Sequence, residues 1–237
     1  MAGAALRNVF KKPHYSADII IQMDQIGVGS IPIVILTGFF SGAVMAMQMA
    51  RALADYGQTG KTGEVVAITL VRELGPVLTA LMVTGRNSSG IASELGSMKV
   101  TEQIDAMRAL GTDPIQKLVT PRMIAAAVVL PLLTIIADFV GIFGGYVIAI
   151  TRLNLEGSQY WATAWQSLQW NDVEQGLLKP FVFSFAVSLV GCYFGLNTTG
   201  GTEGVGRATT QAVVVASVLI FILTFFVGQI FIFRASY

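Results

Sequence analysis

The stretch ATTQAVVVASVLIFILTFFVGQIFIF, Ala208 to Phe233, runs for 26 residues without a charge. A bilayer core of about 30 Å is crossed by about 20 apolar residues of helix. Four more stretches share that character. Val28 to Ala50 has 23 uncharged residues and Phe181 to Thr202 has 22. Arg122 and Arg152 enclose 29 residues broken only by Asp138. Val65 to Gly85 holds 21, broken only by the adjacent Arg72 and Glu73. A soluble globule built on five such helices would need polar material to cover every apolar face. This chain is 12% charged and 54% hydrophobic, with a mean hydropathy of +0.67, whereas a soluble domain is about a quarter charged. The pattern predicts an all-α membrane protein. It has about five transmembrane helices, with spans near 28–54, 64–88, 120–150, 176–200 and 207–233, in a single domain over residues 1–237.

The net charge of +1 points to no nucleic-acid partner. The single cysteine, Cys192, excludes an internal disulfide and a cysteine-based zinc site. His14 is the only histidine, so neither a metal constellation nor a Ser/His/Asp set can form without it, and no metal site is expected. Arg7, Lys11 and Lys12 are not followed by an apolar core and small-residue cleavage site, so no cleaved signal peptide is expected. With the N-terminus inside, nine of the 15 Lys and Arg fall on inside segments, five outside and Arg72 within the membrane. That bias predicts a cytoplasmic N-terminus and an outer C-terminus.

Two amphipathic segments flank the spans. In residues 14–26, Ile19, Met23 and Ile26 share one helical face, which reads as an interfacial helix or as the start of the first span. In the loop 152–175, Ser158 can cap a helix that places Trp161, Trp165 and Leu168 at i, i+4, i+7, an aromatic anchor at the outer interface. Gly38/Gly42, Gly141/Gly145 and Gly191/Gly195 recur at four-residue spacing, which lets helix backbones approach closely within or between subunits. The loop Tyr56 to Gly63, YGQTGKTG, superficially resembles a phosphate-binding loop. It has Asp55 where the first glycine belongs and a membrane helix where a strand belongs, so it reads as a hairpin between spans.

Two constellations can carry function. Arg72-Glu73-Leu74-Gly75-Pro76 puts opposite charges inside a span, where each costs about 2.5–3.5 kcal/mol on insertion scales. Adjacent residues point about 100° apart on a helix, so each needs a partner on another helix or water in a cavity. The pair either lines a substrate path or forms a structural ion pair, and Asp138 has the same two readings. The second constellation is the charged segment 86–122. Thr101 can cap a helix whose Ile104, Met107 and Leu110 form an apolar strip. Glu102 can pair with Lys99, and Asp105 with Arg108, at i, i+3 spacing. Gly111 ends this helix, and the segment reads as a dock for a soluble partner or as a solvated connector, the apolar strip favouring the dock.

Three longer motifs carry a resemblance. RELGPVLTALMVTGR (Arg72 to Arg86), ELGSMKVTEQIDAMRALGTDP (Glu94 to Pro114) and GTEGVGRATTQAVVVASVLI (Gly201 to Ile220) resemble the MlaE family. Those are permease subunits of bacterial ABC transporters that move phospholipid. The resemblance runs from about residue 30 to 225. It implies a homodimeric, multi-pass inner-membrane permease with no ATPase site of its own. ATP and Mg would be bound by a cytoplasmic ATPase subunit, docked on the segment matching Glu94, Lys99, Glu102, Asp105 and Arg108 as a cytoplasmic coupling helix. A STAS-domain protein and a periplasmic Mce-domain protein complete the implied assembly. The implied lipid-binding residues, at a dimer-interface cavity between the first and last spans, are Met45, Met49, Ala52 and Tyr56, with Arg72 and Glu73 nearby. The thioethers of Met45, Met47 and Met49 suit acyl chains. The alternative function is an ion-coupled secondary transporter working through Arg72, Glu73 and Asp138.

Overall fold

The computed structural model describes the backbone of residues 1–9 and 15–235. Lys11, Lys12, His14 and the start of the interfacial segment at residue 14 lie outside the described residues. The chain is helical throughout, with no strand among the described residues. A backbone in lipid must satisfy its own polar groups, which leaves an open bundle no other choice. Its helices are α1 (Ala2–Asn8), α2 (Ser16–Gly27), α3 (Ile31–Ala54), α4 (Thr62–Thr69), α5 (Gly75–Val83), α6 (Ser89–Val100), α7 (Gln103–Ala109), α8 (Thr120–Leu153), α9 (Gly157–Ser167), α10 (Trp170–Leu196) and α11 (Gly201–Ala235).

Among the described residues, five helical stretches are long and apolar enough to cross a membrane, as the sequence predicts: Ser16–Ala54, Thr59–Val100, Ile115–Leu153, Trp170–Leu196 and Gly201–Phe231. Their ends differ from the sequence reading. The second runs past residue 88 to Val100, because no proline or solvated loop interrupts it. Glu94 and Lys99 therefore sit on its last helix, α6, rather than in a loop. The fourth begins at Trp170 rather than near 176, so Asp172 and Gln175 lie on the same helix as Lys179 and not in the outer loop. The segment expected to be an interfacial helix or the start of the first span is α2, and a 3-10 turn, Val28–Ser30, leads from it into α3.

The chain divides into two compact units. Unit 1 comprises Met1–Ser30, Ala80–Leu130 and Phe181–Phe225. Its core gathers Ala5, Ile91, Leu95, Ile104, Leu118, Val119, Met123 and Cys192. Gly191 and Gly195 lie against α6 and the turn before it. A Cβ on Gly191 would stand 3.0 Å from the Ser88 carbonyl oxygen, and one on Gly195 would stand 2.7 Å from Leu95. Arg122 is buried in this unit and binds Glu94 at 2.7 Å.

Unit 2 comprises Ile31–Thr79, Pro131–Pro180 and Phe226–Tyr237. Its core joins Ala46, Val66, Leu70, Ile142, Ala149 and Tyr160. The glycine pairs of α3 and α8 meet here, within one chain. A Cβ on Gly38 would come to 2.9 Å from the Ala137 carbonyl oxygen, and one on Gly42 would strike that of Gly141. Helix α9 carries its aromatic face as expected, with Trp161 stacked on Trp165 at 6.4 Å. Its N-cap is Glu156, without a side-chain bond, rather than Ser158. The Tyr160 hydroxyl donates to the Ile142 carbonyl at 3.2 Å, and burial raises its pKa. The segment Tyr56 to Gly63 is a turn and the start of α4, with no strand before it.

Gly42→Leu forces backbone apart at the α3–α8 contact, an overpacking cost of about 1–3 kcal/mol. Gly206, which has open space where its Cβ would be, tolerates alanine. Thermal unfolding in detergent should show a clear loss for the first variant and none for the second.

Candidate functional site

The Arg72–Glu73 pair sits on a π-helical turn, Leu70–Leu74, immediately before Gly75-Pro76. Proline has no N–H to return to the carbonyl four residues back, and that carbonyl belongs to Arg72. Its oxygen instead accepts a hydrogen bond from Lys179 Nζ at 2.8 Å. The same ammonium binds Glu73 Oε2 at 2.6 Å, and Gln175 Nε2 donates to Glu73 Oε1 at 3.2 Å. Arg72 Nε donates to Asp172 Oδ1 at 2.5 Å. Asp172 also accepts from the Gln169 N–H at 2.9 Å.

All the partners lie on α10, on the face formed by Asp172, Gln175, Gly176 and Lys179. This spacing, i, i+3, i+4, i+7, is one helical stripe. Gly176 lets α10 come close, since a Cβ there would stand 2.6 Å from the Val71 carbonyl oxygen. The cluster holds two cations and two carboxylates, so its net charge is zero. Each charge has a partner on another helix, as the 100° separation requires. Lys179 is 0% exposed and Asp172 2%. Sequence alone does not single them out, because WNDVEQGLLKP straddles the expected junction of the outer loop and the fourth span, where charges are ordinary.

A cavity of about 270 Å³ adjoins this cluster in unit 2, lined by Val71, Asp138, Phe139, Trp161, Trp165 and Leu168 among others. Asp138 Oδ1 is buried there without a hydrogen-bond partner. None of the six expected lipid-binding residues lines this cavity. Met45 packs against the core of unit 2. Met49 is half-buried, Ala52 is exposed, and Tyr56 is 80% exposed beyond the end of α3. Arg72 and Glu73 form part of the charge cluster.

The expected coupling residues belong to unit 1. Helix α7 starts after Glu102, which has φ +61°. That left-handed residue separates α6 from α7, and the expected Glu102–Lys99 pair does not form. Asp105 takes both cations instead, Lys99 Nζ at 2.7 Å and Arg108 Nη1 at 3.1 Å. The Lys99 hydrogen bond holds the Asp105 carboxyl below the usual carboxylate range. Its ion pairs thus persist at neutral pH and fade only as pH falls through that lowered value. Thr101 does not cap α7, and its hydroxyl donates back to Ser97 O at 2.8 Å. Of the apolar strip, Ile104 is buried and Met107 packs into the core of unit 1, while Leu110 is 83% exposed. Gly111, with φ +78°, ends the segment as expected. The outer face of α7, with Glu102, Asp105, Ala106, Arg108, Ala109 and Leu110, is solvent-exposed.

Residues 19–230 match the family described as Permease MlaE. A probable ABC transporter permease of Rickettsia typhi is 43% identical over 226 residues, covering 95% of this chain and 87% of that protein. The intermembrane phospholipid transport system permease protein MlaE of Haemophilus influenzae is 33% identical over 213 residues, 90% of this chain and 82% of that one. The chloroplastic protein TRIGALACTOSYLDIACYLGLYCEROL 1 of Arabidopsis thaliana is 35% identical over 231 residues, 98% of this chain and 66% of that one.

Removing one member of the charge cluster leaves its partner uncompensated. Lys179→Met is expected to destabilise the protein by about 3 kcal/mol. Lys179→Met with Glu73→Gln should recover part of that loss, measured as the unfolding temperature in detergent. Equal stability of all three proteins would show that the cluster holds nothing together.

Proposed function

The chain belongs to the MlaE permease family of ABC transporters, and from that premise we propose that it is the membrane subunit of an ATP-driven phospholipid transporter. The observation that carries this reading is the family match across residues 19–230, joined by a relative whose name specifies intermembrane phospholipid transport. In this reading the chain spans the bacterial inner membrane as a homodimer, with its N-terminus cytoplasmic and its C-terminus periplasmic. It passes lipid between that membrane and a periplasmic Mce-domain protein. It has no ATPase site of its own; ATP and Mg are bound by a cytoplasmic ATPase subunit, which a STAS-domain protein accompanies.

The coupling surface is the outer face of α7 with the end of α6. Ile104 and Met107 root α7 in the core of unit 1, and the Lys99–Asp105–Arg108 network fixes its charged side. A short helix so anchored transmits a push from a bound protein to the span it follows. Leu110 supplies an exposed apolar contact of the kind that fills a partner's pocket. The lipid path is assigned to Met45, Met49, Ala52 and Tyr56. The half-buried thioethers of Met45 and Met49 and the exposed Tyr56 ring accommodate acyl chains of varied shape. Arg72 and Glu73 stiffen the polar wall of that path through α10.

Charge reversal at Glu102 or Arg108 is expected to lower co-purification of the ATPase by about tenfold, equivalent to ~1.4 kcal/mol, with unfolding temperature unchanged. Undiminished ATPase yield from both variants would remove α7 from the interface. Tyr56→Arg is expected to abolish lipid transfer while leaving the assembled complex and its ATP hydrolysis intact. Normal transfer between vesicles reconstituted with that variant would remove Tyr56 from the path.

A further inference from the structure

Helix α7 is followed by a weak point. Leu110 and Gly111 are exposed, and Gly111 has φ +78°, a conformation that glycine enters and leaves at little cost. A force applied to α7 would be absorbed at this hinge unless the chain beyond it were held. That chain is Asp113, Pro114 and a π-helical turn, Ile115–Val119, which opens directly into α8.

Both N-terminal helices hold this segment, all within unit 1. From α1, Asn8 is 5% exposed, and its Nδ2 donates to Asp113 Oδ2 at 3.3 Å. Asp113 Oδ1 accepts from the Ile115 N–H at 2.9 Å, so one carboxylate ties α1 to the start of the π-turn. Ala5 is fully buried, in a core shared with Ile104 of α7, Leu118 and Val119 of the turn, and Met123 of α8. From α2, Asp18 binds Lys117 of the turn. Lys117 Nζ also lies 4.2 Å from the centre of the Tyr15 ring, within cation–π range. The space left along this seam, beside Asn8, Val9, Tyr15, Ile19, Gln116 and Thr120, is about 20 Å³, room for one water. A seam so filled does not let the turn shift without losing these contacts.

We propose that α1 and α2 form a clamp that makes α7, the Ile115–Val119 turn and the start of α8 move as one block. Asn8, Asp18, Asp113 and Lys117 are its positioning residues, acting through α7 rather than on lipid. The clamp itself stands on the packing of unit 1, and its consequence for coupling rests on the transport reading above. With the clamp closed, a push on α7 reaches α8 as well as α6. With the clamp loosened, Gly111 absorbs the push, and ATP is hydrolysed without moving lipid.

Two measurements on the full-length protein test this. The first is hydrogen–deuterium exchange in detergent, without partners. Asn8→Leu and Lys117→Met should each speed exchange in residues 103–119 by about fivefold, as expected for losing one tertiary polar contact, and leave Gly157–Ser167 of unit 2 unchanged. Lys117→Arg keeps the ion pair and the cation–π contact and should exchange like the unsubstituted protein. Lys117 and Asp18 side chains are each about a third exposed, so the Lys117 variants should fold even if Asn8→Leu does not. The second is the amount of lipid transferred per ATP hydrolysed by the assembled complex, between vesicles of phosphatidylethanolamine and phosphatidylglycerol. Lys117→Met should keep ATPase co-purification and hydrolysis while lowering that ratio by about fivefold, the low end of coupling between sites, and Lys117→Arg should not lower it. Unchanged exchange of residues 103–119 in Lys117→Met overturns the clamp. Faster exchange with an unchanged ratio, or a fall in transfer that only follows loss of bound ATPase, overturns its role in coupling. Absence of ATP-driven transfer by the unsubstituted protein removes the transport reading and the coupling role with it, and the exchange result still decides the clamp.

Discussion

Lys179 is a fully buried cation that does two jobs at once in unit 2. It neutralises Glu73 and supplies the hydrogen bond that Pro76 cannot return to the carbonyl of Arg72. A free carbonyl in lipid costs several kcal/mol, and so does an unpaired charge. One ammonium removes both penalties. The geometry follows from this requirement. The π-turn at Leu70–Leu74 swings Arg72 and Glu73 toward α10, and Gly176 lets that helix approach closely enough for Lys179 to reach the backbone. Asp172 then completes a neutral set. Without Pro76 the carbonyl would be satisfied within its own helix, and Lys179 would have only Glu73 to hold it.

The π-turns are a recurring device in this chain. Leu70–Leu74 presents Arg72 and Glu73, Thr84–Ser88 presents Arg86 and Asn87, and Ile115–Val119 presents Lys117, which binds Asp18 of α2. A π-turn widens the helix by one residue and displaces the side chains that follow from the regular 3.6 spacing. The first two interrupt an otherwise apolar helix and the third opens α8, and each places a cation against a partner on a neighbouring element. The long helices therefore carry polar clusters without breaking, and each span stays continuous through the lipid.

Much of this architecture is legible in the sequence because lipid imposes few rules. Charge-free runs of membrane length mark the spans, and the glycine pairs mark the close contact of α3 and α8. Arg72 and Glu73 stand out as charges in an apolar run. Their partners do not. Asp172 and Lys179 sit at the polar entry of a span, where sequence alone cannot separate a solvated loop from a helix whose charges are paired. Periodicity also fails at Glu102, whose left-handed backbone resets the helix and gives Asp105 both cations. The expected lipid-binding residues came through resemblance, and packing does not gather them around the aromatic cavity of unit 2.

The charge cluster also bears on how the protein is energised. An ion-coupled carrier needs a carboxylate whose missing partner is the transported cation. Glu73 already has Lys179 and Gln175, and Arg72 already has Asp172. Their neutral arrangement closes the site to a further cation unless the π-turn and α10 separate. Of these three residues, Asp138 keeps a buried oxygen without a partner among the described residues, in a cavity whose other named walls are apolar and aromatic. A lone carboxyl among Trp and Phe side chains has too few oxygens to replace the hydration shell of a sodium ion. Arg72, Glu73, Asp172 and Lys179 thus brace the Leu70–Leu74 turn against α10.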